Sequence, residues 1–133
     1  MSRIESNPAI VATTAENVYN FLLNTDNIEK LLPAGKYSDW KSDGKTCSFK
    51  VQGSYQIGLA LEESEPFKTI NYVGTPGSPF PFKLQITLSE ENAKTTALLI
   101  CDAQINPFLE MIVKGPLKAL FDYMSEKLTT NVQ

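Results

Sequence analysis

Residues 107–128 read PFLEMIVKGPLKALFDYMSEKL and carry the clearest periodic pattern in the chain. Their apolar side chains recur at intervals of three or four residues, which places them along one face of an α-helix. Charged and polar side chains occupy the other face, so the helix must bury its apolar stripe against the rest of the protein. The predicted stripe consists of Leu109, Ile112, Val113, Pro116, Leu117, Leu120, Phe121, Met124 and Leu128.

The sequence before this helix has a period of two, the pattern of β-strands with one buried face. Phe82, Leu84 and Ile86, for example, alternate with Lys83 and Gln85. Short turns, such as the one at residues 42–45, join neighbouring strands, so the strands should pair as an antiparallel meander. About six strands are predicted here, at residues 37–41, 47–51, 55–61, 69–74, 82–88 and 95–105.

The first 35 residues predict one strand followed by two helices. Residues 4–11 form the predicted strand. Thr13 and Glu16 then have the spacing of a capping box at a helix start. Residues 24–26 end that helix and cap a second one, which stops at Pro33 and Gly35. The chain as a whole therefore predicts the order β-α-α-β6-α in a single domain, residues 1–133.

This order predicts an α+β fold in which a curved antiparallel sheet of about seven strands wraps around the long C-terminal helix. The helix stripe needs an apolar partner, and the preceding sheet is the partner that the sequence offers. A curved sheet around one helix can enclose an apolar ligand. The periodic pattern does not distinguish a hollow core from a filled one, so both interpretations stay open.

Composition narrows the function. The chain is 42% hydrophobic and 20% charged, typical of a globular domain, and its net charge is -3 with a pI near 4.9. A mildly acidic chain lacks the basic surface that binds nucleic acid, so no nucleic-acid partner is predicted. No apolar run approaches the ~20 residues of a membrane span, and no signal peptide is recognisable. We therefore expect a cytoplasmic protein without stable membrane insertion, in an oligomeric state that the sequence leaves open.

The chain contains no histidine. This excludes the usual Ser-His-Asp and Cys-His arrangements and any zinc or iron site that depends on imidazole ligands. Cys47 and Cys101 lie among apolar neighbours without CxxC spacing, which predicts two free thiols in the core of a protein from a reducing compartment. We expect no metal and no cofactor.

Several phrases resemble the START-like, or SRPBCC, superfamily, which is also called polyketide-cyclase-like. They are Ala15-Glu16-Asn17-Val18-Tyr19-Asn20-Phe21-Leu22, then Asp26-Asn27-Ile28, then Leu32-Pro33, and the region from Gly53 to Glu65-Pro66. The phrase Leu31-Leu32-Pro33-Ala34-Gly35 is similar to the branch that contains accessory proteins of carbon monoxide dehydrogenase. The resemblance implies the helix-grip fold and an apolar ligand of the lipid, quinone or polyketide kind.

The first functional hypothesis is therefore binding or transport of an apolar or amphipathic small molecule between the sheet and the C-terminal helix. The residues predicted to line its cavity lie on the inward faces of both elements. They are Phe49, Tyr55, Ile57, Tyr72, Phe82, Leu84, Ile86, Leu99, Val113, Leu117, Leu120 and Met124.

Two other functions stay open. In a cyclase- or dehydratase-type enzyme, Asp102, Tyr55 or Tyr72 would move protons. Asp102 is the weak catalytic candidate, because a strand that turns Leu99 inward would turn Asp102 outward. The sequence shows no catalytic constellation, so an enzyme is the less favoured hypothesis. The third hypothesis is a protein-interaction or assembly module that uses the loop around Phe80 as its contact surface.

Overall fold

An antiparallel sheet covers one side of a long C-terminal helix in the computed structural model, which describes residues 2–51 and 55–132. The sheet is open and curved, so the predicted α+β fold class is confirmed. The strands are β1 (Ser2–Glu5), β2 (Ala9–Val11), β3 (Tyr37–Ser42), β4 (Thr46–Val51), β5 (Tyr55–Leu61), β6 (Thr69–Gly74), β7 (Phe82–Glu91) and β8 (Lys94–Ala103). The helices are α1 (Ala15–Leu23), a 3-10 helix (Thr25–Leu31) and α2 (Pro107–Asn131).

The strands lie in the order β1-β8-β7-β6-β5-β4-β3, and β2 also pairs with β8. Each strand from β3 to β8 is the antiparallel neighbour of the next one, which confirms the predicted meander. Strand β3 forms one edge of the sheet, and β1 with β2 forms the other. The first and the last strands of the chain are thus hydrogen-bonded to each other.

The first strand is not continuous, so the single strand predicted at residues 4–11 is wrong. Glu5 pairs with Ile100 and Ala9 pairs with Ala97, which leaves three residues of the first segment opposite two of β8. Such an extra residue is a β-bulge. Pro8 has no N–H to donate at this point, which explains why the ladder is interrupted there.

Helix α2 holds the interruption in place. The backbone N–H of Asn7 donates to a carboxylate oxygen of Asp122 at 2.7 Å. The hydroxyl of Ser125 donates to the backbone carbonyl of Asn7, also at 2.7 Å. Helix α2 thus binds both the N–H and the carbonyl of Asn7, the residue at which the ladder with β8 is interrupted.

Both N-terminal helices differ in detail from the predictions. Thr14, not Thr13, caps α1 and accepts the N–H of Asn17 at 3.3 Å. Thr13 accepts a hydrogen bond from the Asn17 side chain instead, at 2.7 Å. The second helix is a single 3-10 segment, a form common in short connectors, and Pro33 follows its C-cap residue Leu32.

Helix α2 starts as predicted at Pro107, where the side chain of Asn106 accepts the N–H of Leu109 at 2.8 Å. It buries a narrower stripe than predicted. Ile112 is 56% exposed and Pro116 is also exposed, because both lie about 100° or more around the helix axis from Leu117. Leu109 and Leu120 are half-buried. The fully buried members of the stripe are Val113, Leu117, Phe121, Met124 and Leu128.

The core between sheet and helices is apolar and its polar atoms are paired. The hydroxyl of Tyr72, on β6, donates to the backbone carbonyl of Leu22 and so joins the sheet to α1. No buried side-chain nitrogen or oxygen in the described residues lacks a partner. In the same part of the chain, none of the helices is both long and apolar enough to span a bilayer.

Candidate functional site

The inner faces of the sheet and α2 meet in a space that we call the inner seam. Its volume is about 10 Å³, which is roughly the room that one water molecule needs. The inward-facing side chains therefore pack mostly on one another. The inner seam is lined by Phe49, Ile57, Leu59, Phe80, Phe82, Leu84, Cys101, Leu117, Leu120, Phe121 and Met124.

The twelve residues predicted to line the cavity fall into three groups according to their position in the structure. Seven of them line the inner seam, namely Phe49, Ile57, Phe82, Leu84, Leu117, Leu120 and Met124. Tyr72, Ile86, Leu99 and Val113 are buried in the same core but do not border that space. The side chain of Tyr55 lies outside the described part of the structure.

Four residues that line the inner seam are absent from the predicted set. The sequence contains a signal for three of them: Leu59 and Cys101 follow Ile57 and Leu99 by two residues on their strands, and Phe121 follows Leu117 by one helical turn. Phe80 lies in a proline-rich loop without periodicity. Its ring contacts Phe82 edge to face, with centroids 6.0 Å apart, and no sequence pattern predicts this contact.

A second space, which we call the outer groove, lies between α2 and the β3–β4 edge of the sheet. Its volume is about 250 Å³, close to the lower end of the roughly 300–1,000 Å³ of small-molecule pockets. It exists because Pro116, Ala119 and Tyr123 face away from the stripe that the sheet covers. The outer groove is lined by Leu32, Pro33, Lys36, Tyr37, Phe49, Val51, Pro116, Ala119, Leu120 and Tyr123.

An irregular stretch of β3 builds the aromatic side of the outer groove. The register of β3 against β4 shifts between Ser38 and Lys41, and Asp39 has a φ of 55°. Aspartate is one of the few residue types that tolerate this left-handed conformation. The extra residue allows Trp40 to stack on Phe49, with ring centroids 6.2 Å apart. Tyr37 contacts the same Phe49 ring edge to face at 6.5 Å.

The outer groove has a polar rim. The hydroxyl of Tyr37 donates to a carboxylate oxygen of Glu29 at 3.0 Å. Burial, together with the hydrogen bond to Glu29 and its negative charge, raises the pKa of Tyr37 above its usual value. Tyr37 therefore stays protonated at neutral pH and keeps Glu29 in place. Lys36, which is exposed, also lines the outer groove.

Phe49 and Leu120 border both spaces. The two side chains form the partition between the small inner seam and the larger outer groove. Phe49 comes from β4 and Leu120 from α2, so the partition joins the two elements that a ligand would have to lie between.

Two of the three candidates for proton transfer, Asp102 and Tyr72, border neither the inner seam nor the outer groove. Asp102 is exposed on the outer face of the sheet, where its register partners are Lys83 on β7 and Arg3 on β1. The hydroxyl of Tyr72 already donates a hydrogen bond to the backbone carbonyl of Leu22, and burial raises the pKa of Tyr72. Cys101 is the titratable side chain among the described lining residues of the inner seam. Residues 2–51 and 55–132 contain no cluster of three or more histidine, cysteine, aspartate or glutamate side chains that could hold a metal ion.

We expect both thiols to be unreactive in the native protein. Burial raises the pKa of Cys47 and of Cys101 to about 12, so at pH 8 far less thiolate is present than in the unfolded chain. Labelling by 5,5′-dithiobis(2-nitrobenzoic acid) at pH 8 should be at least a hundredfold slower in buffer than in guanidinium chloride. Because the native pKa values are raised, the contribution of the two thiols to stability should be constant below about pH 9 and fall between pH 9 and 12. Fast labelling of either thiol in buffer would contradict this prediction.

Solved structures share the fold of this chain at low sequence identity. Protein CV1439 from Chromobacterium violaceum is 15% identical, with a TM-score of 0.75 over 99% of this chain and 98% of that one. XoxI from Bacillus cereus is 13% identical, with a TM-score of 0.75 over 98% and 94%. DynU16, from the dynemicin biosynthetic locus, is 14% identical, with a TM-score of 0.68 over 98% of this chain and 46% of that one.

No protein-family model matches the sequence, and no curated protein sequence matches it either. The structural likeness therefore establishes the fold, in agreement with the predicted helix-grip architecture.

Proposed function

We propose that the protein binds an apolar or amphipathic small molecule, of the lipid, quinone or polyketide kind, between the sheet and α2. The observation that carries the proposal is the outer groove, an apolar depression of about 250 Å³. The inner seam, with its volume of about 10 Å³, cannot hold a ligand as it stands. We therefore place the first contact of the ligand in the outer groove, whereas the sequence left open whether the space between sheet and helix is hollow or filled.

The physical basis of binding would be the burial of apolar surface. Each square ångström of apolar surface removed from water contributes about 25 cal/mol before the costs of association are subtracted. Tyr37, Phe49 and Tyr123 offer flat aromatic surfaces, and Pro33 and Pro116 add rigid apolar ones. Rigid side chains lose little conformational entropy on binding, which favours affinity.

The rim of the outer groove fits the polar end of an amphipathic ligand. Tyr37, which lines the outer groove, is hydrogen-bonded to Glu29, and Lys36 adds a positive charge to the same lining. Polar groups at the edge of an apolar site orient a ligand more than they strengthen its binding. The fold shared with DynU16 supports a role with molecules of this general kind.

Native mass spectrometry of the purified protein, followed by organic extraction, is the direct test. A stoichiometric apolar small molecule that leaves the protein on extraction would support the proposal and identify the class of ligand. The extracted molecule, added back to the delipidated protein, should restore the mass of the complex. Failure of every extracted compound to rebind would count against the proposal.

Ala119→Trp should weaken the binding of 1-anilinonaphthalene-8-sulfonate at least tenfold. Ala119 is exposed and borders the outer groove, so an indole at this position fills the groove without disturbing the core. Thr129→Trp is the matched control, because Thr129 is exposed on the same helix but does not border the groove. Fluorescence titration of both variants decides the question. Equal affinities of the two variants would show that the probe does not bind in the groove.

A cyclase-type enzyme is the second candidate, favoured by the fold shared with a protein from a biosynthetic locus. In such an enzyme, the spaces between sheet and helix would mainly hold a flexible substrate in a reactive conformation. Glu29 and Tyr37 are the ionisable pair at the groove and would be the groups to test for proton transfer. Turnover of an extracted ligand that Glu29→Gln abolishes, without loss of binding, would favour the enzyme over the carrier.

A further inference from the structure

We infer that Leu120 is a gate between the outer groove and the inner seam, and that it sets the length of hydrocarbon chain that the protein accepts. This inference rests on the proposed function. It adds that the ligand carries a linear apolar chain and that one side chain of α2 determines how far this chain penetrates.

The geometry of the partition makes Leu120 the side that can move. Phe49 is 2% exposed and is held by Trp40 and Tyr37, and its strand pairs with β5 through Ile57. Leu120 is half-buried and projects from a helix whose neighbouring residue Ala119 is small and exposed. A leucine side chain can change rotamer at a cost far below that of moving a buried aromatic ring. The backbone of α2 need not shift.

The chemistry beyond the gate selects an apolar chain. The lining of the inner seam is hydrocarbon apart from the thiol of Cys101 and the thioether of Met124, and burial keeps that thiol protonated. A polar group placed there would lose its hydrogen bonds to water without replacement. Met124 is flexible and polarisable and can adapt to a chain end that enters. The polar end of the ligand must therefore stay at the rim near Lys36.

Saturated fatty acids from hexanoate to hexadecanoate, competing with 1-anilinonaphthalene-8-sulfonate, test the gate. In the wild-type protein, affinity should rise about fourfold per methylene and then level off at the chain length that fills the groove up to Leu120. In Leu120→Ala, the groove and the seam become one space, so the levelling should occur at least two carbons later. In Leu120→Trp, it should occur at a shorter chain.

Leu109→Ala is the matched control. Leu109 is a half-buried leucine of the same helix that borders neither space, so its replacement should leave the chain-length profile unchanged. Circular dichroism melting curves show whether each variant is folded under the conditions of the titration. If all variants bind fatty acids with the wild-type profile, the gate is refuted and the proposed function stands. If no fatty acid displaces the probe from the wild-type protein, the proposed site itself fails and the gate fails with it.

Discussion

Phe49→Ala should lower the free energy of unfolding by about 3–5 kcal/mol, the usual cost of removing a buried aromatic ring. Phe49 is 2% exposed, and its ring contacts Tyr37 and Trp40 on the bulged edge strand. Without that ring, both aromatic contacts on β3 are lost. The same change removes half of the partition between the inner seam and the outer groove, so the two spaces should merge.

Urea unfolding monitored by the fluorescence of Trp40 measures this loss, since Trp40 is the single tryptophan of the chain and stacks on the deleted ring. Phe108→Ala is the control. Phe108 is 73% exposed at the start of α2, and its removal should change stability by no more than about 0.5 kcal/mol. Similar losses for the two variants would contradict the assignment of Phe49 to the core.

Gly74→Ala should destabilise the protein by about 1–3 kcal/mol, although alanine is normally better tolerated in a strand than glycine. A Cβ at position 74 would lie 2.5 and 2.6 Å from two ring carbons of Phe82. Phe82 is itself buried and borders the inner seam, whose volume of about 10 Å³ leaves its ring no room to withdraw. The overlap must therefore be relieved by a shift of the sheet.

A double mutant tests this explanation. Phe82→Leu removes the ring carbons that overlap, so Gly74→Ala should cost less in that background, by at least about 0.5 kcal/mol. Gly77→Ala serves as the control, because a Cβ there would meet only Gln56 at 3.8 Å and should be almost neutral. Thermal unfolding of the single and double mutants beside the wild type gives the coupling. Additive effects would mean that Phe82 is not the residue that excludes a side chain at position 74.

The local patterns predicted most of the fold because each one has a direct physical cause. The alternation of Phe82, Leu84 and Ile86 with polar residues puts one face of β7 in the core, and all three are buried. The turn at residues 42–45 joins β3 to β4 as expected. These features depend on residues close together in the sequence, so the sequence alone is enough to predict them.

The predictions that failed concern features that depend on contacts between distant parts of the chain. Pro8 has no N–H to donate and is therefore a local signal against a continuous first strand. The interruption is held, however, by hydrogen bonds to Asp122 and Ser125, which lie far along the chain on α2. The bulge at Asp39 has no pattern of its own. A periodic stripe also cannot show where a sheet ends, so the sequence could not predict that Pro116 stays outside it.

The candidate site likewise combines features that follow from the local sequence with features that depend on contacts between distant residues. Seven of the twelve expected lining residues border the inner seam, because inward-facing positions follow from periodicity. The size of the space between them depends on how side chains from several strands and a helix fill it, which no local pattern records. The outer groove forms because the sheet does not cover Pro116, Ala119 and Tyr123, which lie beside the buried stripe of α2. This arrangement can be seen only in the three-dimensional structure.

The pairing of the first strand with β8 has a consequence for how the protein is made. Ile4 is paired with Cys101, so the first strand leaves the ribosome roughly a hundred residues before its partner. At synthesis rates of about 5–20 residues per second, β1 waits roughly 5 to 20 seconds before β8 is available to pair with it. Closing so long a loop is also slow in the isolated chain, because non-local contacts must first overcome the entropy of loop closure. Strand β1 can therefore pair only after β8 has been synthesised, so its hydrogen bonds are among the last of the sheet to form.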